Sequence, residues 1–404
     1  MLKPDSRGMT VLLAFMTAMG PISTDLYVPA LPQLATEFAT TPARVQWTLS
    51  SYLIGFALGQ LFYGPLSDKY GRKPLLMIGF VTYLIGTALS AFATSIEWLT
   101  VSRLLQGVGG AGPIIMARAI VRDMYEGARA GRQLSIMSTI MGVAPIVSPV
   151  LGGFLAVWFG WRASFVTMLA MIGPIAFMAF IYLPETLRHA QPGPISVSAI
   201  AHSYGVVARN PLWRVYASIM AMSHTGLFTF VGASPFVLQS IFGLTSVQFG
   251  IGFSVCSIAF VSGAYFGSRL VTRLGIDGVV SLGVMCLAAG GALQLLGHLI
   301  FPQSALALFI PELIYFYGIG YVLPHSIAGA LSPLPERAGA ATSLQGFLQM
   351  SFSAAMGILV VALIPSYGPL PLAVTTFVMG AGALIVFRMS EKTRAAGRAA
   401  TRRF

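Results

Sequence analysis

Three charged residues, Asp25, Arg103 and Glu312, stand inside apolar runs that are each long enough to cross a bilayer. A charge at the centre of such a run costs on the order of 2.5–3.5 kcal/mol on insertion scales. Each therefore calls for a chemical reason to be there. A carboxyl group in low dielectric can take up and release a proton, and a nearby guanidinium favours its anion. An Asp beside an Arg can thus trade a proton against an ion pair. Bland alternatives exist: Asp25 as a helix-end acid in outside water, and Arg103 snorkelling to the outer headgroups. For Glu312 three readings stay open: a substrate-selective contact, a second proton site, or an acid satisfied against a neighbouring helix. His224 and His325 read more readily as satisfied polar residues than as proton relays.

The elements that must position these residues are membrane helices. Of 404 residues, 24 are basic and 12 acidic, so 9% are charged, against about 25% in a soluble domain. With 56% apolar residues and a mean hydropathy of +0.80, the surplus must face lipid rather than water. That excludes a soluble enzyme, a disordered chain and a collagen-like repeat. A span needs roughly 20 apolar residues. Twelve are expected: 9–29, 45–65, 75–94, 98–120, 133–156, 163–183, 212–236, 248–270, 277–299, 304–326, 339–364 and 369–388. The long connection from Pro184 to Pro211, with Pro192, Gly193 and Pro194, divides them six and six. The expected layout is a six-helix bundle over 1–187, a cytoplasmic loop over 188–211, a second bundle over 212–390 and a basic tail over 391–404.

Basic residues set the orientation. Lys3, Arg7, Lys69, Arg72, Lys73, Arg118, Arg122, Arg129, Arg132, Arg188, Arg209 and Arg214 fall on the side of the termini. Arg269, Arg273, Arg337, Arg388, Lys392, Arg394, Arg398, Arg402 and Arg403 join them there, 21 of the 24 in all. Arg44 and Arg162 fall opposite. Both termini are thus expected in the cytoplasm, and the net charge of +12 needs no nucleic acid. The first span is long, carries Asp25 and lacks a small-x-small site, so it reads as a retained helix rather than a cleaved signal. Cys256 and Cys286 lie in apolar stretches as packing residues; no metal-ligand spacing occurs.

Four ordered strings add specificity. Gly64-Pro-Leu-Ser-Asp68-Lys-Tyr-Gly71-Arg72-Lys73 links spans 2 and 3, with a tight turn at Gly71. In it Asp68 is placed to accept hydrogen bonds from a helix end or an Arg, with Arg72 and Lys73 at the anionic leaflet. A fainter echo, Ser268-Arg-Leu-Val-Thr272-Arg-Leu-Gly275, follows span 8 at an offset of 204 residues. Span 4 carries Arg103-Leu-Leu-Gln106-Gly-Val-Gly-Gly, and span 5 carries Gly142-Val-Ala-Pro145-Ile-Val-Ser148-Pro149-Val-Leu-Gly152-Gly153. Its prolines and glycines are expected to kink the span and leave a flat packing face. Span 1 ends Ser23-Thr-Asp25-Leu-Tyr27-Val-Pro-Ala-Leu-Pro.

The linker between spans 2 and 3 resembles the loop signature of the major facilitator superfamily. The span-4 and span-5 strings resemble that superfamily's fourth-helix signature and its drug/proton antiporter signature, although Ser148 and Ala144 stand where glycines are usual. With Ala117–Asp123 and Ala233–Leu238, the span-1 string is similar to the Bcr/CflA group of bacterial exporters, named for bicyclomycin and chloramphenicol/florfenicol resistance. The resemblance runs from Met9 to Phe387. It implies an all-α fold of twelve transmembrane helices in two pseudo-symmetric halves, and a charge lock at Gly64, Asp68, Gly71, Arg72 and Lys73 that breaks as the halves rock. It also implies that spans 1, 4, 7 and 10 line a cavity, with proton coupling at Asp25, Arg103 and Glu312. Candidate cavity residues are Tyr27, Gln106, His224, Phe228, Phe236, Tyr315 and Tyr317, with Tyr52, Gln60, Gln345 and Gln349 from spans 2 and 11. The expected function is proton-coupled antiport of small amphipathic antimicrobials out of the cell by a monomeric, multi-pass protein of the bacterial inner membrane. No cofactor beyond the proton gradient is expected, and no catalytic cluster or phosphate loop points to an enzyme. The alternatives are an exporter of an endogenous metabolite such as an amino acid, or a non-transporting sensor.

Overall fold

The computed structural model describes residues 6–125, 127–187 and 197–401. Lys3, Arg188, Pro192, Gly193, Pro194, Arg402 and Arg403 lie outside the described residues. Among the described residues every regular element is helical. The first half contains α1 (Arg7–Asp25), the short α2 (Leu31–Glu37), α3 (Pro42–Tyr70), α4 (Arg72–Ala91), α5 (Ile96–Met124), α6 (Gly127–Phe159) and α7 (Arg162–Tyr182). A connecting helix α8 (Val197–Arg209) precedes α9 (Pro211–Pro235), α10 (Ser246–Ile300), α11 (Ala305–Leu331), α12 (Ala338–Tyr367), α13 (Leu370–Met389) and the tail helix α14 (Glu391–Thr401).

Nine of these elements are long and apolar enough to cross a membrane, among the described residues. Helix α10 holds two arms, broken at Gly275 with φ 69° and ψ 174°. Together with α3 and α9, whose interiors carry polar residues such as Gln46, Ser50, His224 and Thr225, they make twelve spans, six in each half. Outward faces are apolar: Val166, Phe177 and Phe180 of α7, and Phe352 and Leu359 of α12, are exposed. That is the surface lipid requires. The chain forms two compact units, Met1–Val197 with Ser246–Gly250, and Ser198–Thr245 with Ile251–Phe404.

Helix boundaries follow local chemistry. Ser95 and Asn210 cap α5 and α9 by accepting the N–H of Trp98 (3.1 Å) and Trp213 (3.0 Å). Span 1 ends earlier than expected, at Asp25 rather than at residue 29. Pro29 has no N–H to give the Asp25 carbonyl, and the Tyr27 N–H turns to Thr24 O instead (3.1 Å). Helix α6 runs without interruption through Pro145 and Pro149. The loop expected over 188–211 contains α8, whose thirteen residues are free of proline.

A buried arginine cage and its partners

Arg103 is fully buried in the first half. Its helix reaches that depth because α5 packs backbone to backbone on its neighbours. A Cβ at Gly107 would overlap the Tyr52 carbonyl of α3, and one at Gly109 would overlap the Tyr83 N–H of α4. One turn before Gly107, the guanidinium meets three helices. Nη1 donates to Ser23 O (3.2 Å) and to Gln106 Oε1, and Nε donates to Thr48 O (3.4 Å). The shortened end of α1 frees Ser23 O for this role, since Tyr27 N–H has moved to Thr24. Tyr52 and Tyr27 lie over the cation at 4.4 and 4.9 Å, and Phe165 at 5.7 Å, a desolvated cation–π arrangement. Their neighbours extend the network, while Arg103 Nη2 and Tyr52 OH are left without a partner. Gln106 Nε2 donates to Thr87 Oγ1 (2.9 Å), while Ser23 Oγ meets Tyr83 OH and Tyr27 OH meets Thr48 Oγ1, each at 2.7 Å.

Asp25 is buried beside this cage but is not its counter-ion. Its Oδ1 accepts from Thr24 Oγ1 (2.8 Å), and among the described residues no ion pair includes it. The expected Asp25–Arg103 pair is therefore corrected: backbone carbonyls and Gln106 take the guanidinium, and the acid stands apart. Snorkelling of Arg103 is corrected as well, because the side chain has no exposed surface.

The small residues of the span-5 string hold the bend after Asp25. Ala144, Ser148, Gly152 and Ala156 form a buried i, i+4 stripe on α6, while Val143, Val147 and Leu151 face outward. Pro149 and Gly153 are also buried and Pro145 half-buried. A Cβ at Gly152 would overlap Leu26 O, which accepts from Ser164 Oγ of α7 (3.0 Å).

At the basic end of this half, α3 and α4 meet at Gly71, whose φ of 101° suits glycine. Arg72 is 7% exposed and ion-pairs with Asp68 (2.5 Å) and Asp123 of α5 (2.9 Å), so it does not reach out to headgroups as expected. Ser67 Oγ, which donates to Gly64 O (2.9 Å), accepts a further bond from Arg72 Nη1 (2.7 Å). Glu185 accepts the backbone N–H of Arg72 (2.9 Å) and Lys73 (3.1 Å), capping α4. The Lys73 ammonium stands 5.9 Å from the Phe180 ring centre. The ion-pairing role of Asp123 and the capping role of Glu185 were missed. Acids are rare in this chain, and both stand just past a span end, which is the signal that points to them.

In the second half, Glu312 on α11 is fully buried. Its Oε2 accepts from Gln294 Nε2 of α10 (2.8 Å), which also donates to Leu308 O (2.9 Å), while Oε1 has no partner. The acid is thus half satisfied by a neighbouring helix arm. His224 Nδ1 meets Ser353 Oγ of α12 at 2.9 Å, and its ring stacks on Phe228 at 4.4 Å. Gln345 Nε2 donates to Met220 Sδ (2.7 Å). Yet Gln345 Oε1, Gln349 Oε1, Thr229 Oγ1, Ser234 Oγ and Tyr315 OH are buried without a partner. Phe236 is buried, and Tyr317 pairs with Tyr321 through their hydroxyls (2.8 Å). His325 is satisfied by Tyr321 O (2.7 Å).

The eleven candidate cavity residues thus divide. Tyr27, Tyr52 and Gln106 wall the Arg103 cage. Gln60 is half-buried, and His224, Phe228, Gln345 and Gln349 sit along or beside the α9–α12 seam. An apolar groove of about 790 Å³, lined by residues such as Leu58, Phe62, Tyr70 and Ile78, includes none of the candidate residues.

Twelve spans in two halves, with an ionisable group buried in each half, define a polytopic membrane protein of the transporter class. The family model described as Major Facilitator Superfamily matches residues 13–358, and the chain belongs to that superfamily. It is 28% identical over 356 residues to a bicyclomycin resistance protein homolog of Haemophilus influenzae, covering 87% of this chain and 88% of that one. It is 29% identical over 391 residues to a chloramphenicol resistance protein of Pseudomonas aeruginosa, covering 96% and 91%. Its fold is similar to the crystal structure of the human organic anion transporter MFSD10, with a TM-score of 0.71 at 18% identity over 95% of this chain and all of that one.

Proposed function

We propose that this protein is a proton-coupled antiporter that exports small amphipathic antimicrobials across the bacterial cytoplasmic membrane, with both termini inside. The relatives named for bicyclomycin and chloramphenicol resistance support the substrate class. The observation that carries proton coupling is Asp25: a buried acid at the break of α1 with no cationic partner in ion-pair range among the described residues. As an anion it would be an uncompensated buried charge, so its surroundings accommodate the neutral acid. A proton lost from Asp25 leaves a charge that a cationic or strongly polar drug, or a regrouped Arg103, can neutralise. Glu312 is the corresponding acid of the second half, unpaired by any cation in the same sense. The unpartnered groups of α9, α11 and α12 supply hydrogen-bonding positions for the drug, and no step calls for catalysis or a cofactor. The test is a drug-susceptibility panel, chloramphenicol and bicyclomycin included, in an efflux-deficient bacterial host. Wild type should raise resistance and Asp25→Asn, at equal membrane abundance, should not. Equal resistance from both would remove Asp25 from the coupling mechanism.

A further inference from the structure

The basic ends of the two halves solve one problem with different residues. In the first half Arg72, next to the positive-φ Gly71, is gripped by Asp68 and Asp123. The matching position of Asp68 in the second half is Thr272, whose hydroxyl donates only to Arg269 O (2.9 Å). The turn itself is repeated, since Gly275 also has positive φ. Two residues beyond it, at the position that matches Lys73, the charge is reversed: Asp277 stands there, its side chain only 11% exposed.

The cation for Asp277 comes from the tail. Arg394 of α14 is 5% exposed, and its Nη1 lies 3.1 Å from Asp277 Oδ2. Its other donors fold back on the end of α13: Nη2 bonds Phe387 O (2.7 Å) and Nε bonds Ser390 Oγ (3.2 Å). The guanidinium also lies 3.6 Å from the centre of the Phe387 ring. The second oxygen of Asp277 accepts from Tyr216 OH of α9. The ring of Tyr216 is in turn pressed against Gly329 of α11, where a Cβ would come within 2.6 Å of it. One turn further along α14, a Cβ at Gly397 would come within 2.6 Å of Leu212 Cδ2. Such a buried, multiply bonded pair holds its geometry and breaks as a unit.

We propose that α14 is the missing part of the second half's lock. Arg394 and Asp277 are positioning residues for transport, which fasten the ends of α9, the second arm of α10, α11 and α13 into one assembly. The inference rests on the transporter reading for its consequence but not for its geometry. A tail that merely decorates the bundle would have no reason to bury a guanidinium against an acid on another helix.

The test takes full-length protein in liposomes, with Cys256 and Cys286 replaced by alanine and Leu212→Cys as a maleimide reporter under the tail. Arg394→Ala and Asp277→Asn should each raise the labelling rate about tenfold and lower the export Vmax several-fold at unchanged KM. The double variant should be no worse than the worse single one, and Arg394→Lys, which keeps the charge on Asp277 but not the fork onto Phe387 and Ser390, should recover part of both readouts. A chain ending at Ser390, which removes Arg394 without touching the membrane core, should transport like Arg394→Ala. Unchanged labelling in the single variants would overturn the latch. Raised labelling with an unaltered Vmax, or single losses that multiply in the double variant, would overturn its role in transport. Labelling is read without any substrate, so absent export by the wild type would count against the transport reading alone.

Discussion

The two halves bury their polar residues in opposite ways. In the first, a cation at the centre gathers hydrogen bonds from several helices: Ser23, Thr48 and Gln106 accept from Arg103, and Thr87 and Tyr83 extend the network, with Arg103 Nη2, Tyr52 OH and Gln46 Oε1 left over. In the second, no buried cation among the described residues belongs to α9, α11 or α12, and the hydroxyls of Thr229, Ser234 and Tyr315 and the amide oxygens of Gln345 and Gln349 are left without partners. A buried polar group without a hydrogen bond costs about 1–3 kcal/mol. The difference separates a half built around a buried guanidinium from a half whose polar groups lie along several helices with no such centre.

That contrast can be broken at graded cost. Arg103→Ala has the largest effect, since it strips three acceptors of their donor. It should abolish export and destabilise the first half by about 1–3 kcal/mol for each buried acceptor left unpaired, read as a lower midpoint in thermal unfolding. Arg103→Lys should recover little, because a compact ammonium cannot replace a fork spread over three helices; full activity would reduce the cage to a bare charge. Gly152→Val comes next, forcing a side chain onto the Leu26 carbonyl. It should cost about 1–3 kcal/mol and impair export, and unimpaired export would detach the α6 stripe from the bend at Asp25. Asp68→Asn keeps the shape of the lock but weakens its hold on Arg72. Turnover should fall several-fold with drug binding nearly unchanged, and the reverse pattern would refute a gating role. Gln349→Ala is the mildest. It should weaken binding of individual drugs roughly two- to twelvefold, the worth of one hydrogen bond, and leave the pH dependence of export alone. A loss of pH dependence there would erase the division between the halves.

Much of this arrangement was legible from residue types. Scarce charge and apolar runs announce the twelve spans, because hydrocarbon admits little else. Arg103 and Asp25 stand out for the same reason. The pairing between them was misread, because the decisive event is a backbone one. Pro29 ends α1 at Asp25, and the freed Ser23 carbonyl takes the guanidinium. Nothing in the spacing of charges reports a vacant carbonyl. Arg72 was misplaced for a related reason: Asp123 lies 51 residues away and Glu185 more than a hundred, so the acids that hold it are assembled by folding. Arg394 was read as one of many tail cations, and nothing local distinguishes it from Lys392 or Arg398. The unpartnered seam of the second half is a statement about the absence of contacts, which no motif encodes.

The claim that Asp25 carries the exchanged proton, apart from Arg103, is met most directly in purified protein reconstituted into liposomes. Drug flux would be followed in two modes, driven by an imposed pH gradient and as drug-for-drug exchange without one. Asp25→Asn should lose the gradient-driven mode while exchange persists, because a permanently neutral side chain still lets the loaded protein cycle. Gradient-driven flux at wild-type rates in Asp25→Asn would contradict the account.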